Sequence, residues 1–303
     1  MRTALTVLTD ELRRLKTTGI KSVSVTEQGL ATLRAAVRRQ AFAAEAAKPG
    51  PLATLADPSP RRRTSPTAAG TKTKPKLLPP PPVLALPAGD KPTRWAALLA
   101  AVTDDPVCRS HAGPGKKVVL GAGNLDAQIM FVGEAPGAEE ELQGEPFVGP
   151  AGQLLTKMIG AMGLKRSDVY IGNIMNWRPD LPVGAGGDQI GNRPPTEEEM
   201  IYCLPFLRAQ IEIVRPALLV ALGSTAAQGL LGFGAFKALG EVRGQWRDFG
   251  GLPLMVTYHP SYILRNQSNR SKRLIWEDLL KVMERVGLPI SEKQRDFFLE
   301  KKS

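Results

Sequence analysis

The sequence predicts an α/β fold: a three-layer α/β/α arrangement around a central, mainly parallel four-stranded sheet. Three observations predict it. Short continuous apolar runs of strand length alternate with longer runs of helical period. The short runs are bounded by Gly and Pro, as where Ile129 to Val132 enters Gly133-Glu134-Ala135-Pro136-Gly137, the pattern of a strand buried on both faces. Chemically capable residues come directly after those runs, where open α/β sheets hold ligands.

The elements run in order along the chain. Residues 1–48 carry Leu5, Leu8, Leu12 and Leu15 at helical spacing, then Leu30, Leu33, Val37 and Phe42 less regularly. A helical extension broken at Gly19 and Gly29 is expected there. Residues 49–92 are rich in Pro, Ala, Thr, Lys and Arg, with Arg61-Arg62-Arg63 and a proline run from Pro79 to Pro82. Such a composition buries too little apolar area to offset chain entropy, so a disordered linker with polyproline II character is expected. A folded domain over 93–290 comes next, and 291–303 read as a charged tail. Within the domain a helix runs from Trp95 to Val102, and Lys116 to Asn124 reads as an edge strand and a turn. Strands are expected at 128–132, 169–172, 217–222 and 254–258, and helices at 151–162, 197–214, 224–231 and 271–286. Thr196 with Glu199 forms a capping box opening the second of these helices.

The 303 residues hold 40 Lys and Arg against 29 Asp and Glu, a net charge of +11. That excess favours a polyanionic partner, most often nucleic acid. The two cysteines, Cys108 and Cys203, make a disulfide framework unsuited and fit a reducing cytoplasm. No apolar run approaches a membrane span. Asp10 and Glu11 interrupt the amino-terminal stretch, which does not read as a secretory signal. A cytoplasmic, nucleoid-associated monomer is the expectation.

The residues just beyond each strand carry the chemistry. Glu134 stands after the first, Asn173 and then Asn176 to Pro179 after the second, Gly223-Ser224-Thr225 after the third, and His259-Pro260-Ser261 after the fourth. An acid, an amide, small hydroxyls and an imidazole thus collect at one sheet edge, with Phe147 on a Gly/Pro-bounded loop nearby. No P-loop and no Gly-x-Ser-x-Gly elbow is present. An Asn amide reads a pyrimidine edge, and a Phe stacks on its face. A carboxylate supports an oxocarbenium-like sugar or orients water, and an imidazole stabilises charge on a departing base. The set suits cleavage of an N-glycosidic bond in a nucleotide flipped out of DNA.

These motifs resemble the uracil-DNA glycosylase superfamily, and most closely its family 4, the iron–sulfur type. The resemblance covers residues 108 to about 286. It rests on Gly133 to Gly137, on Gly144 to Leu155 (Gly-Glu-Pro-Phe-Val-Gly-Pro-Ala-Gly-Gln-Leu-Leu), on Val169 to Asn173 with Arg178-Pro179, and on His259-Pro260-Ser261. It implies that Glu134 activates water and supports the cationic sugar, and that His259 stabilises the departing base. It implies a base pocket of Gly133, Ala135, Phe147 and Asn173. It makes Ser261 to Arg265 the loop that enters the minor groove, with Leu264 as wedge. Arg265, Arg270, Lys272 and Arg273 would then meet phosphates.

Two departures stand out. Family 4 holds a [4Fe–4S] cluster on four cysteines, and here those positions read Cys108, His111, Trp177 and Cys203. No cluster and no other cofactor is expected, with Trp177 packing in its place. Zinc on Cys108, His111 and Cys203 would need a fourth ligand. The second departure is a Gly-rich stretch from Asp180 to Gly191, read as an insertion beside the base pocket that widens the range of bases accepted.

The leading expectation is a monofunctional uracil-DNA glycosylase that initiates base excision repair, hydrolytic because no lysine lies among the motifs to form a Schiff base. The alternative is a uracil- or damage-recognising DNA-binding protein with little turnover. A nucleotide or phosphate hydrolase would have only Glu139, Glu140 and Glu141 as clustered metal-binding acids.

Overall fold

The protein's structure, a computed structural model, describes residues 78–181, 189 and 191–299. The expected extension at 1–48, and the linker as far as residue 77, lie outside the described residues. So do 182–188 and 190 of the expected insertion.

The sheet has six strands in the order β1-β3-β2-β4-β6-β5. They are β1 (Ala122–Gly123), β2 (Ile129–Gly133), β3 (Tyr170–Asn173), β4 (Leu218–Leu222), β5 (Trp246–Phe249) and β6 (Leu252–Thr257). The four central strands are the expected ones and are mutually parallel. The expected four-stranded sheet is corrected by two antiparallel edge strands, β1 on β3 and β5 on β6. The first lies within the edge strand and turn expected from Lys116 to Asn124. The second forms a hairpin with β6 through Gly250 and Gly251, whose φ values of 61° and 89° suit a tight hairpin turn.

Helices cover both faces. They are α1 (Lys91–Asp104), α2 (Pro106–His111), α3 (Ala138–Gln143), α4 (Pro150–Ala161), α5 (Glu197–Val214), α6 (Ser224–Leu231), α7 (Pro260–Arg265), α8 (Asn269–Arg285) and α9 (Glu292–Arg295). Alternate strand residues face opposite layers. Met130, Val132, Leu219, Ala221, Leu254 and Val256 join the core under α1, α5 and α6. Ile129, Phe131, Leu218, Val220, Leu222 and Met255 join the core under α4 and α8. Among the described residues no helix is long and apolar enough to cross a membrane.

Both ends of the expected domain extend further than the composition suggests. Helix α1 begins at Lys91 because Asp90 accepts from the Thr93 amide and caps it. Leu78, Leu84 and Leu86 pack against the first core, so the last part of the expected linker is ordered. At the other end, Phe297 packs on Trp276, whose indole N–H donates to the Gln294 carbonyl.

Strand order positions the site. From β2 the chain crosses to β3 on one side, then returns over the sheet to β4 on the other. Connections from this pair diverge, which opens a crevice beyond the carboxyl ends of β2 and β4. The register sets Gly133 beside Asn173, Val132 beside Ala221 and Leu222 beside Thr257. Glu134, Ile174, Gly223 and Tyr258 therefore emerge at one level.

Candidate active site

A cleft of about 710 Å³ opens over that edge and is lined by Glu134, Phe147, Asn173, Thr225, His259 and Arg265, among others. The structure thus brings together the acid, the aromatic, the amide and the imidazole expected from four separate stretches.

Glu134 is half-buried. Desolvation pushes its carboxyl above the ordinary carboxylate value, and a hydrogen bond from the Thr225 side chain partly opposes this. Thr225 lies in the first turn of α6, across the crevice from β2. Its place in the sequence, just after a strand, assigns it no role. The parallel register is what brings it to the acid.

Asn173 ends β3 and is 5% exposed. Its Oδ1 is buried with no hydrogen-bond partner among the described residues. A buried unpaired carboxamide oxygen is costly, and this one belongs to a residue that lines the cleft. Phe147 is also buried, at φ 55°, a left-handed conformation uncommon for an aromatic residue. The first turn of α4 packs so tightly on it that a Cβ at Gly152 would overlap the Phe147 carbonyl. A Cβ at Gly133 would lie 2.5 Å from Cε2 of Phe147, and nearer still to its Cζ and to Asn173 Oδ1. Gly133 is therefore the space that lets the ring and the amide serve one pocket.

His259 ends the β6 connection and caps α7. Its ring lies 5.7 Å from the Phe147 ring. The Ser261 amide donates to Nδ1 at 3.2 Å, and the Ser261 hydroxyl lies 2.9 Å from the same nitrogen. An accepting Nδ1 places the proton on Nε2. Burial, and secondarily the positive charge of Arg265, lower its pKa to about 4. At neutral pH the group is a neutral imidazole able to donate from Nε2.

Glu140 also lines the cleft, and the sequence alone does not single it out from its acidic neighbours. Its Oε2 accepts from the Gly137 amide at 3.0 Å, and its Oε1 from the Val148 and Gly149 amides at 3.1 and 3.0 Å. One carboxylate joins the loop after Glu134 to the loop carrying Phe147. Its neighbour Glu141 is buried against Arg178 at 2.8 Å and Lys116 at 3.0 Å. With two members committed to such bonds, the acidic trio offers no metal site. Among the described residues no group of three or more His, Cys, Asp or Glu could hold a metal ion.

The expected DNA-facing residues divide. Ser261 and Arg265 line the cleft, as does Ala135. Leu264 is 41% exposed on α7, and Arg270 is exposed near the start of α8. Lys272 and Arg273 are turned elsewhere. Lys272 sits over the Phe298 ring at 5.9 Å. Arg273 bonds Glu277 and donates to the carbonyls of Arg295 and Phe297. Both side chains are partly buried against the carboxyl-terminal segment.

Cys108, Trp177 and Cys203 share one core and are fully buried or nearly so, and His111 stacks on Trp177 with ring centroids 4.8 Å apart. Burial pushes both thiols above the ordinary cysteine value. A four-iron cluster needs thiolates at four corners. Two of the four residues are not thiols, and the Trp177 indole takes up buried space in the same core as both cysteines. The donor set does not fit a cluster. Zinc on Cys108, His111 and Cys203 would still need a fourth ligand.

Fold and site together define an α/β scaffold with a cleft at the carboxyl ends of its parallel strands, lined by an acid, an amide, an aromatic ring and an imidazole. The chain belongs to the uracil DNA glycosylase superfamily, whose model matches residues 120–280. It is 47% identical to the type-4 uracil-DNA glycosylase of Thermotoga maritima over 165 residues, which are 54% of this chain and 80% of that protein. It is 40% identical to the type-4 enzyme of Saccharolobus solfataricus over 57% of this chain and 77% of that one. To the type-5 uracil-DNA glycosylase of Pyrobaculum aerophilum it is 32% identical, over 54% and 73% of the two chains. The likeness is to type 4 more than to type 5.

Proposed function

We propose that the protein is a monofunctional uracil-DNA glycosylase that hydrolyses the N-glycosidic bond of uracil in DNA and leaves an abasic site, the first step of base excision repair. The observation that carries this reading is the pairing of a neutral, Nε2-donating His259 with an unpartnered Asn173 amide oxygen in the cleft that Glu134 lines. The flipped uracil stacks on Phe147, and Asn173 reads its polar edge. As the bond lengthens, positive charge grows on the sugar and negative charge on the base. The Glu134 carboxylate stabilises the first and orients water for attack at the sugar carbon. The His259 Nε2–H stabilises the second, as a fixed donor that need not move a proton.

Among the described residues no lysine lines the cleft, which supports hydrolysis over Schiff-base chemistry. The mechanism needs no metal, and the misfit of Trp177 and His111 supports a protein without a cluster. Pro179 and Asn192, which flank the Asp180–Gly191 stretch, line the cleft, which supports tolerance of some damaged bases besides uracil. Exposed Leu264 and Arg265 suit the groove-entering role, and Arg270 a phosphate contact. The basic segment before residue 93 adds salt-sensitive, sequence-independent affinity. The enzyme works as a monomer on DNA in the cytoplasm.

The test incubates end-labelled uracil-containing DNA, single- and double-stranded, with the full chain, followed by alkaline cleavage. Wild type should cut at uracil, and Glu134→Ala and His259→Ala should each lose at least about 10²-fold in rate. Tight uracil-dependent retention of DNA without cleavage would replace this reading with that of a damage-binding protein.

A further inference from the structure

The residues at the cluster positions are engaged with the cleft. Trp177 is 1% exposed, meets Tyr202 edge-on at 6.1 Å and stacks on His111 with 5° between planes. His111 Nδ1 lies 2.5 Å from Asp180 Oδ2, and this bond is the main reason that the Asp180 carboxyl is held below its ordinary value. The Asp180 carbonyl accepts from Arg193 Nε at 2.7 Å, and Arg193 is bidentate to Glu199 at 2.6 and 2.7 Å. Between Trp177 and Asp180, Arg178 donates to Asn192 Oδ1 and to the Gly191 carbonyl, both at 2.7 Å. Pro179, Asn192 and Arg193 form one wall of the cleft. The four residues 177–180 therefore hold that wall from behind.

We propose that Trp177, His111 and Asp180 form an aromatic–ionic staple that fixes the Pro179–Asn192–Arg193 wall of the cleft, at positions that no longer suit a metal cluster. His111 and Asp180 are positioning residues that act through Asn192 and Arg193. They hold a surface the substrate meets and leave Glu134 and His259 untouched. A loosened wall weakens binding of the flipped nucleotide and leaves the bond-breaking step as it was. The stack also explains why the wall does not need a cofactor: a buried indole and a paired imidazole supply both packing and a fixed charge contact.

The proposal rests on the glycosylase reading only for its activity arm. The experiment compares full-length wild type, His111→Ala, Asp180→Asn and the double variant in uracil excision and in thermal unfolding, with iron measured on the wild type as purified. The single variants should raise KM by about three- to tenfold and keep kcat within about twofold. The double variant should be no worse than the worse single, because the His111–Asp180 contact is already lost in each single variant. Trp177→Phe, which keeps an aromatic face for His111, should stay near wild type. A fall in kcat with KM unchanged, or effects of the two substitutions that add, would overturn the staple. Stoichiometric iron in the wild type would overturn it too. If the wild type failed to excise uracil, the glycosylase reading would fall. The staple would then stand or fall on whether the same two substitutions are non-additive in melting temperature.

Discussion

Replacing Gly133 by alanine asks whether the pocket depends on the close approach seen behind it. The added Cβ would lie 2.5 Å from Phe147 Cε2 and nearer to Asn173 Oδ1. Ordinary carbon contacts begin about 1 Å further out. Neither neighbour yields easily: Phe147 is pinned at φ 55° against Gly152, and Asn173 is held in β3 beside Gly133. Overpacking of this kind costs about 1–3 kcal/mol, or about 2–4 °C of melting temperature per kcal/mol in a domain of this size. The catalytic loss should be larger, since a displacement of about 1 Å at a reacting centre can cost about 10²-fold. The assay is kcat/KM on a single-stranded uracil oligonucleotide beside a melting curve. Gly160→Ala serves as control, because a Cβ there meets nothing within 4 Å. Gly133→Ala with full activity and an unchanged melting temperature would refute the close-approach argument.

The acid limb of the kcat–pH profile should lie above the ordinary carboxylate range, because burial raises the Glu134 pKa and protonation of the base removes it as pH falls. Thr225→Val removes a hydrogen bond that favours the ionised form, so the limb should move to higher pH, while Thr225→Ser should leave it in place; a limb that ignores both substitutions would separate Thr225 from the acid. Glu140→Ala leaves the Gly137, Val148 and Gly149 amides without their carboxylate. Hydrogen bonds to charged groups are worth about 1.5–3 kcal/mol each where water cannot replace them. A melting temperature lowered by several degrees and a rate lowered about tenfold or more are expected, with Glu140→Gln intermediate. Wild-type kinetics in Glu140→Ala would show that the two loops hold without it.

Much of the fold and site is legible in the sequence because the relevant signals are local. Each central strand is a short apolar run ending in Gly, Pro or a polar residue, and its carboxyl end follows from chain direction alone. Glu134, Asn173 and His259 stand out in that way. What escapes depends on partners distant in sequence or on which side of a helix a residue faces. Strand β5 is short and half-exposed, although Gly250-Gly251 marks its hairpin. Glu140 and Glu141 read as two acids in a row, yet one ties loops together and the other neutralises a buried Arg178. Nothing in a charge pattern reveals that Lys272 sits over the Phe298 ring or that Arg273 donates to the Arg295 carbonyl. Asp90 and the leucines at 78, 84 and 86 lie at the edge of a stretch whose average composition hides them.

The strand order β3-β2-β4-β6 has a consequence for how activity arises during synthesis. Glu134 leaves the ribosome well before His259, and the two become neighbours only after β4 has inserted beside β2 and β6 beside β4. Long-range parallel pairing is a late and slow event in folding. A nascent chain that has made Glu134, Phe147 and Asn173 therefore still lacks His259 and has no complete cleft. The last central strand and the helix that follows it must arrive first, so on the glycosylase reading the growing polypeptide cannot release a base until almost all of the domain is in place.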